Sequence, residues 1–325
     1  MTTLYLDRKG LSLKLDGATL ALYENGTRAG TVPLALLERL VIRAETTLSS
    51  GAVGALAEAG CATLILSGRR GRRMAVIQGR AHNDAALRVA HYASTQDAAW
   101  RLSWSRCFVG AKLTRQERFL EQALAARPDL RKPISKALRT LRSVRVRAAS
   151  DGENVDTLRG LEGAAQAAYF RAYITLFAPS LRFRNRNRRP PRDPVNSCLS
   201  LAYTLVHFEA ARAAHAAGLD PFLGFFHEIA FGRESLACDL IEPIRPLVDV
   251  WIWHLFRSRV LRPEHFTCDK GSCLLQKAGR ARFYERFEEF LHPTANRLRG
   301  YCRLLARALR SRTPGLPTVE AGDEL

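Results

Sequence analysis

No unbroken hydrophobic run long enough to span a bilayer occurs in this chain. The most apolar long window, residues 47–68, is interrupted by Glu58 and by serine, threonine and glycine, which excludes a transmembrane helix. A phosphate-cradling GxxxxGK(S/T) loop is missing as well, and with it the signature of a P-loop ATPase. No internal repeat is present, so a solenoid is excluded. The seven cysteines are odd in number and irregularly spaced, and no apolar signal peptide precedes them; a reducing cytoplasm is the expected setting. Acidic residues are scarce. The chain has 31 Asp and Glu against 50 Lys and Arg, a formal net charge of +19. With 47% hydrophobic residues it is nonetheless able to fold, so the excess charge belongs to a globular protein with a polyanionic partner. The arginines recur along the whole chain rather than on one amphipathic helix, which favours nucleic acid over a membrane surface.

At 325 residues there is room for two cores. Residues 4–80 alternate at the strand period, with turn signals at Asp16-Gly17 and Asn25-Gly26, hairpins around them and one short helix over Ser49–Ala59. From about Ala85 the apolar spacing becomes helical: Ala98–Ala126, Pro133–Ala149, Asn154–Phe177, Val195–Ala217, Leu236–Leu261 and Gly279–Arg312. The expected fold is α+β, a small β-rich domain over residues 1–84 followed by a larger all-α domain over 85–312. Residues 313–325 are expected as a disordered acidic tail.

The segment GLDPFLGFFHEIAFGRESLACDLIEPIRPLVDVW, residues 218–251, sets His227, Asp239 and Glu242 among apolar neighbours, where ionisable groups are costly unless paired. Asp239 and Glu242 are three apart, which predicts two carboxylates on one helix face. One imidazole and two carboxylates suit a hard divalent cation, Mg2+ or Mn2+, better than zinc. Glu162, on a helix rich in small residues, could complete such a site. The bland alternative has Asp239 and Glu242 paired with Arg233 or Arg245, His227 as a core histidine and Glu162 as a surface residue near Arg159. Six arginines crowd into LRFRNRNRRPPRDP: Arg182, Arg184, Arg186, Arg188, Arg189 and Arg192. They read as a phosphate-gripping loop or as a solvated charge run. Asn196 follows, either hydrogen-bonded within the site or capping its helix. Lys136, Arg139, Arg142 and Arg145 predict a cationic helix face. His265, Cys268 and Cys273, with His254 as a fourth ligand, offer a weaker zinc reading, against plain hairpin thiols.

Taken in order, LEGAAQAAYF around Glu162, RNRRPPRDPVNSCLSLAYTLV, GLDPFLGFFHE and GRESLACDLIEPIRPLVD resemble the motifs of the CRISPR-associated spacer-acquisition endonuclease and integrase family, the "Cas-one" proteins. HNDAALRVAHYAS and CFVGAKLTRQERFL resemble the opening helices of that family's helical domain, and the amino-terminal strands resemble its β domain, so the likeness covers nearly the whole chain. The resemblance implies a metal-dependent nuclease that inserts short foreign DNA into the CRISPR array by attack of a 3′ hydroxyl on a phosphodiester. It implies Glu162, His227 and Glu242 as catalytic metal ligands, with Asp239 as a further ligand or a supporting group, and Mg2+ or Mn2+ as cofactor. It also implies DNA contact through Arg184, Arg186, Arg188, Arg189, Asn196 and Arg245. A homodimer formed through the N-terminal halves is expected, with two dimers bridged by a small partner, the "Cas-two" protein, on double-stranded DNA. The competing reading is a non-catalytic basic scaffold whose carboxylates only balance arginines.

Overall fold

The computed structural model describes residues 2–66, 73–79, 82–150, 154–187, 190–269 and 271–312. Residues 313–325 and the tip of the basic turn at 69–72 lie outside that description. The chain has the expected α+β character, strands first and helices after. It divides into two compact units, Met1–Ala81 with Leu274–Phe290, and His82–Cys273 with Leu291–Leu325.

In the first unit the strands are β1 (Thr2–Leu6), β2 (Leu11–Asp16), β3 (Thr19–Glu24), β4 (Thr27–Pro33), β5 (Leu37–Ile42), β6 (Thr46–Leu48), β7 (Ala62–Leu66) and β8 (Arg73–Ile77), with helix α1 (Ser50–Glu58) between β6 and β7. They form two four-stranded sheets, in the orders β1-β5-β7-β8 and β4-β3-β2-β6. The β3–β4 hairpin turns through Asn25 and Gly26, both at positive φ (52° and 84°), as a two-residue turn of the right twist requires. Leu13, Leu20, Leu40 and Leu56 are fully buried or nearly so in the core of this unit. Residues 274–290 belong here because Tyr284 stacks on Tyr5 at 4.0 Å, Arg280 pairs with Asp7 at 2.5 Å, and Glu288 accepts from Thr3 and Tyr5.

The second unit contains α2 (Ala85–Gln96), α3 (Ala98–Ala126), α4 (Arg131–Ser150), α5 (Val155–Thr175), α6 (Pro194–Ala216), α7 (Ser235–Ile241), α8 (Arg245–Arg257) and β9 (Phe266–Asp269); β10 (Ser272–Leu275), which forms a hairpin with β9, and α9 (Lys277–Arg312) are each divided between the two units. Four starts are fixed by side chains accepting from the third residue on: Asp84 for α2, Asp97 for α3, Asn154 for α5 and Asp193 for α6. Helix α6 is buried along most of its length and carries the aromatic and alanine packing against α7 and α8. One expectation is corrected. The single helix predicted over 236–261 is two, broken between Ile241 and Arg245, because Pro243 has no N–H to continue the helical ladder. Cys268 and Cys273 are joined to each other, and His265 accepts from the Arg262 amide; the zinc reading therefore does not hold.

Candidate active site

The site is assembled from α3, α5, α7 and the irregular segment 219–234. That segment has no ladder of its own, so its backbone is pinned by side chains from elsewhere. Arg159 on α5 donates to the Phe226 carbonyl at 2.9 and 2.6 Å, and its guanidinium together with that of Arg101 on α3 holds Glu228 at 2.6 and 2.9 Å. His91 on α2 meets the Leu223 carbonyl at 2.9 Å. Gly224 lies so close to the start of α7 that a Cβ there would stand 2.7 Å from the Ser235 backbone. These contacts deliver His227.

Asp239, fully buried on α7, aims its carboxylate into that loop rather than along the helix face. Its oxygens accept from the amides of Phe225 (2.6 Å), Phe226 (3.0 Å) and His227 (2.9 Å), and from the His227 imidazole at Nδ1 (2.7 Å). A carboxylate here can only accept, so Nδ1 carries a proton, and the neutral form of the ring has its lone pair at Nε2. Nε2 points toward Glu242, whose Oε1 lies 3.9 Å away. Asp239 and Glu242 thus bracket the imidazole from its two nitrogens, one carboxylate for each.

Glu242 closes the C-terminal end of α7, where Arg115 of α3 donates to the next carbonyl, that of Pro243, at 2.6 Å. Its Oε1 accepts from Arg245 Nε at 2.7 Å and its Oε2 from Lys112 Nζ at 2.6 Å. Burial works to raise the Glu242 carboxyl, but the Arg245 and Lys112 cations that it touches outweigh burial and hold it well below the usual carboxylate range. Lys112 also donates to Glu162 of α5. Burial works to lower its amine; Glu242 and Glu162 prevail and keep it above the ordinary lysine range. The Lys112 side chain is 4% exposed, against 18% for Glu162 and 26% for His227. Glu162 and Glu242, 80 residues apart in the chain, thus converge on one nitrogen.

The donor set is two carboxylates and one imidazole lone pair, which suits a hard divalent cation. As the side chains stand, no three His, Cys, Asp or Glu residues among those described are grouped for an ion, and Lys112 is the cation between the two glutamates. The residues fit a metal in type and convergence, provided that ammonium withdraws. Asp239 has both oxygens committed to the loop. Lys112 escaped the sequence reading. The signal was there, since it falls within the buried face of α3 with Phe108, Val109, Leu113 and Gln116, where a lone lysine demands partners.

The arginine loop reaches the site through Tyr203. Arg186 lies over one side of its ring, 5.5 Å from the centroid, and Arg245 lies 4.9 Å from the same centroid. Asn196 is buried and pins the loop, accepting from Arg186 (2.7 Å) and the Asn187 amide (3.1 Å) and donating to Asn185 and Asp193; the helix cap is Asp193. Arg184 is exposed. Arg188 and Arg189 lie outside the described residues. On α4, Arg142 and Arg145 pair with Glu121 and Glu117 of α3 at 2.6 and 2.8 Å, while Lys136 and Arg139 stay exposed.

Residues 4–289 match the family model described as CRISPR associated protein Cas1. The chain belongs to the Cas1 family. It is 34% identical over 311 residues to a CRISPR-associated endonuclease Cas1 of Thermodesulfovibrio yellowstonii, covering 95% of this chain and 97% of the relative. Among solved structures, a casposase bound to integration product superposes with a TM-score of 0.83 at 22% identity, covering 100% of this chain and 95% of that one. A chain of a Cas6-RT-Cas1–Cas2 complex does so with a TM-score of 0.81 at 20% identity, over 97% of this chain and 35% of that chain. At these identities the superpositions speak to the Cas1 fold. No helix among the described residues is long and apolar enough to cross a membrane.

Proposed function

We propose that this Cas1-family chain is a divalent-metal-dependent DNA endonuclease and integrase that joins short foreign DNA to a CRISPR array. The observation that carries the reading is the convergence of Glu162, Glu242 and the Nε2 side of His227, from three separate elements, in a chain whose curated relatives are named endonucleases. Glu162, Glu242 and His227 Nε2 would hold Mg2+ or Mn2+, which supplies charge stabilisation to a phosphodiester as its oxygens gain charge. Asp239 fixes the imidazole and keeps the proton on Nδ1. Arg245 offsets Glu242 and is carried against Tyr203. In the integration step the 3′ hydroxyl oxygen of the incoming strand bonds to phosphorus as the bond to the departing 3′ oxygen breaks, leaving the count of phosphodiesters unchanged. With water as nucleophile the same exchange is hydrolysis.

Arg188 and Arg189 by their charge, and the exposed Arg184, Lys136 and Arg139, are suited to phosphate contact along double-stranded DNA. Arg186, Asn196 and Arg245 support that surface from beneath. The working assembly is a homodimer, paired through its N-terminal halves and bridged to a second by a Cas2-type partner; the DNA substrate puts the work in the cytoplasm. The test is strand transfer with labelled prespacer DNA, a repeat-containing plasmid and the Cas2-type partner. Glu162→Gln, His227→Ala and Glu242→Gln each abolish joining while DNA binding persists; full activity in all three purified variants refutes the site.

A second reading has support in the pairing of Glu242 and Glu162 with Lys112 and Arg245: a basic scaffold in which the acids only balance cations. Chelation separates the two. Joining that stops in EDTA and returns with Mn2+ belongs to the enzyme, and undiminished function in EDTA belongs to the scaffold.

A further inference from the structure

Lys112 has no part in the metal-site reading, yet it lies buried between the two carboxylates on which that reading depends. Its Nζ sits between Glu162 Oε1 and Glu242 Oε2, buried at 4% exposure. Both carboxylates that would ligate a metal are therefore already drawn to one positive point. The local charges close: Glu162 and Glu242 carry two negative charges, and Lys112 and Arg245 carry two positive ones. Asp239 stands apart from this sum, because three backbone amides and an imidazole N–H satisfy it.

We propose that Lys112 is a built-in stand-in for the divalent ion, so that metal binding at this site is an exchange in which the ammonium leaves as the cation enters. The inference rests on the metal-site reading of Glu162, His227 and Glu242. Adding a dication while the ammonium stayed would set four positive charges against two negative ones in a buried pocket, a repulsion that low dielectric makes severe. With the ammonium gone the balance is three against two. The surplus of one is the charge that a single phosphodiester neutralises.

The exchange accounts for two features together. Two glutamates from different elements converge on one ammonium nitrogen, and like charges gather in that way only around a cation. And among the described residues the three prospective ligands are not grouped for an ion: Glu242 is held by Lys112 and Arg245, with its Oε1 3.9 Å from His227 Nε2. The long aliphatic stem of lysine allows the ammonium to swing clear without moving α3. Metal and DNA then help each other: the ion frees a cation for phosphate, and phosphate draws off the cation that competes with the ion.

The experiment is a Mn2+ titration of the full chain, followed by electron paramagnetic resonance of the free ion, for wild type, Lys112→Met and Glu162→Gln. Lys112→Met keeps the length of the stem and removes the charge. Its Mn2+ affinity is expected to rise by at least about tenfold, a low figure for deleting one adjacent unit charge. Its thermal stabilisation by Mn2+ is expected to exceed that of wild type, since the metal-free variant leaves one of the two carboxylate charges unbalanced. Should the variant not fold, wild type labelled with 13C at lysine Cε decides the question: the Lys112 signal moves as Mg2+ saturates the site. An unchanged or weakened Mn2+ affinity in Lys112→Met overturns the exchange, and so does a Lys112 signal that stays in place at saturation. If wild type binds Mn2+ no better than Glu162→Gln, the metal site itself is refuted, and the exchange with it.

Discussion

Asp239→Ala probes the joint between fold and chemistry. Four donors converge on this carboxylate: the amides of Phe225, Phe226 and His227, and the His227 ring at Nδ1. The last two lie beside a partly exposed imidazole, and water can replace the lost oxygen there. The Phe225 and Phe226 amides are fully enclosed and cannot be rehydrated without opening the loop. Each buried donor left unsatisfied costs about 1–3 kcal/mol, so the alanine variant is expected to lose about 4 kcal/mol. For a unit of this size that is a fall in Tm on the order of 10 °C. Asp239→Asn separates stability from chemistry. Its one carbonyl oxygen can still serve the Phe225 and Phe226 amides, which keeps about half of the stability. Its NH2 then faces Nδ1, so the imidazole must place its proton on Nε2, the nitrogen needed as a ligand. Urea unfolding and Mn2+ titration are read side by side. The asparagine variant is expected to lose only about 2 kcal/mol but at least about tenfold in metal affinity, the usual scale for a group that orients a metal-binding histidine. If Asp239→Ala unfolds within about 1 kcal/mol of wild type, the four hydrogen bonds do not carry the loop and the reasoning fails.

Gly224→Ala places a Cβ 2.7 Å from the Ser235 backbone, and backbone on both sides cannot yield cheaply. A loss of about 2 kcal/mol in urea unfolding is expected, with strand joining reduced further than stability explains because His227 is three residues on; a variant as stable and active as wild type would count against the loop packing. The pH dependence turns on two buried groups with opposite signs. Burial pushes the Asp249 carboxyl up to about 6, although hydrogen bonds from Tyr203 and Tyr169 work against it. Between about pH 4 and 6 the folded chain therefore holds a proton that the unfolded chain has released, and stability falls as pH rises, by about 3 kcal/mol over that window. Burial pushes His91 down to about 4. From about pH 6.5 to 4 the unfolded chain binds a proton that the folded chain excludes, and stability falls as pH falls. The two nearly cancel in wild type. Compared with wild type, Asp249→Asn is expected to gain stability more steeply as pH rises across this range and His91→Gln to lose it; identical slopes in urea titrations of both variants would refute the assignment.

Local patterning made much of the fold readable. The Asn25-Gly26 turn, the end of α3 at Arg127-Pro128 and the Asn154 cap of α5 are each set within a few residues by backbone conformation or a neighbouring N–H, so sequence alone places them. The break between α7 and α8 was legible too, in Pro243, but periodicity on both sides of it masked the stop. The ionisable residues of the site were legible as types, since His227, Asp239 and Glu242 stand among apolar neighbours. Their roles were not. A spacing of three predicts one shared helix face, whereas Asp239 turns to the loop amides and Glu242, at the helix end, turns to Lys112 and Arg245.

Which acid supports the histidine and which faces Lys112 is a matter of where α3, α5 and the 219–234 loop come to rest, and no local rule contains it. The same holds for Lys112, whose partners lie 50 and 130 residues further along the chain. Sequence thus fixed composition, periodicity, turns and caps, because those obey forces acting over a few residues. The pairing of charges was left to tertiary structure, because burying an ion is tolerable only beside partners that the whole fold brings within reach.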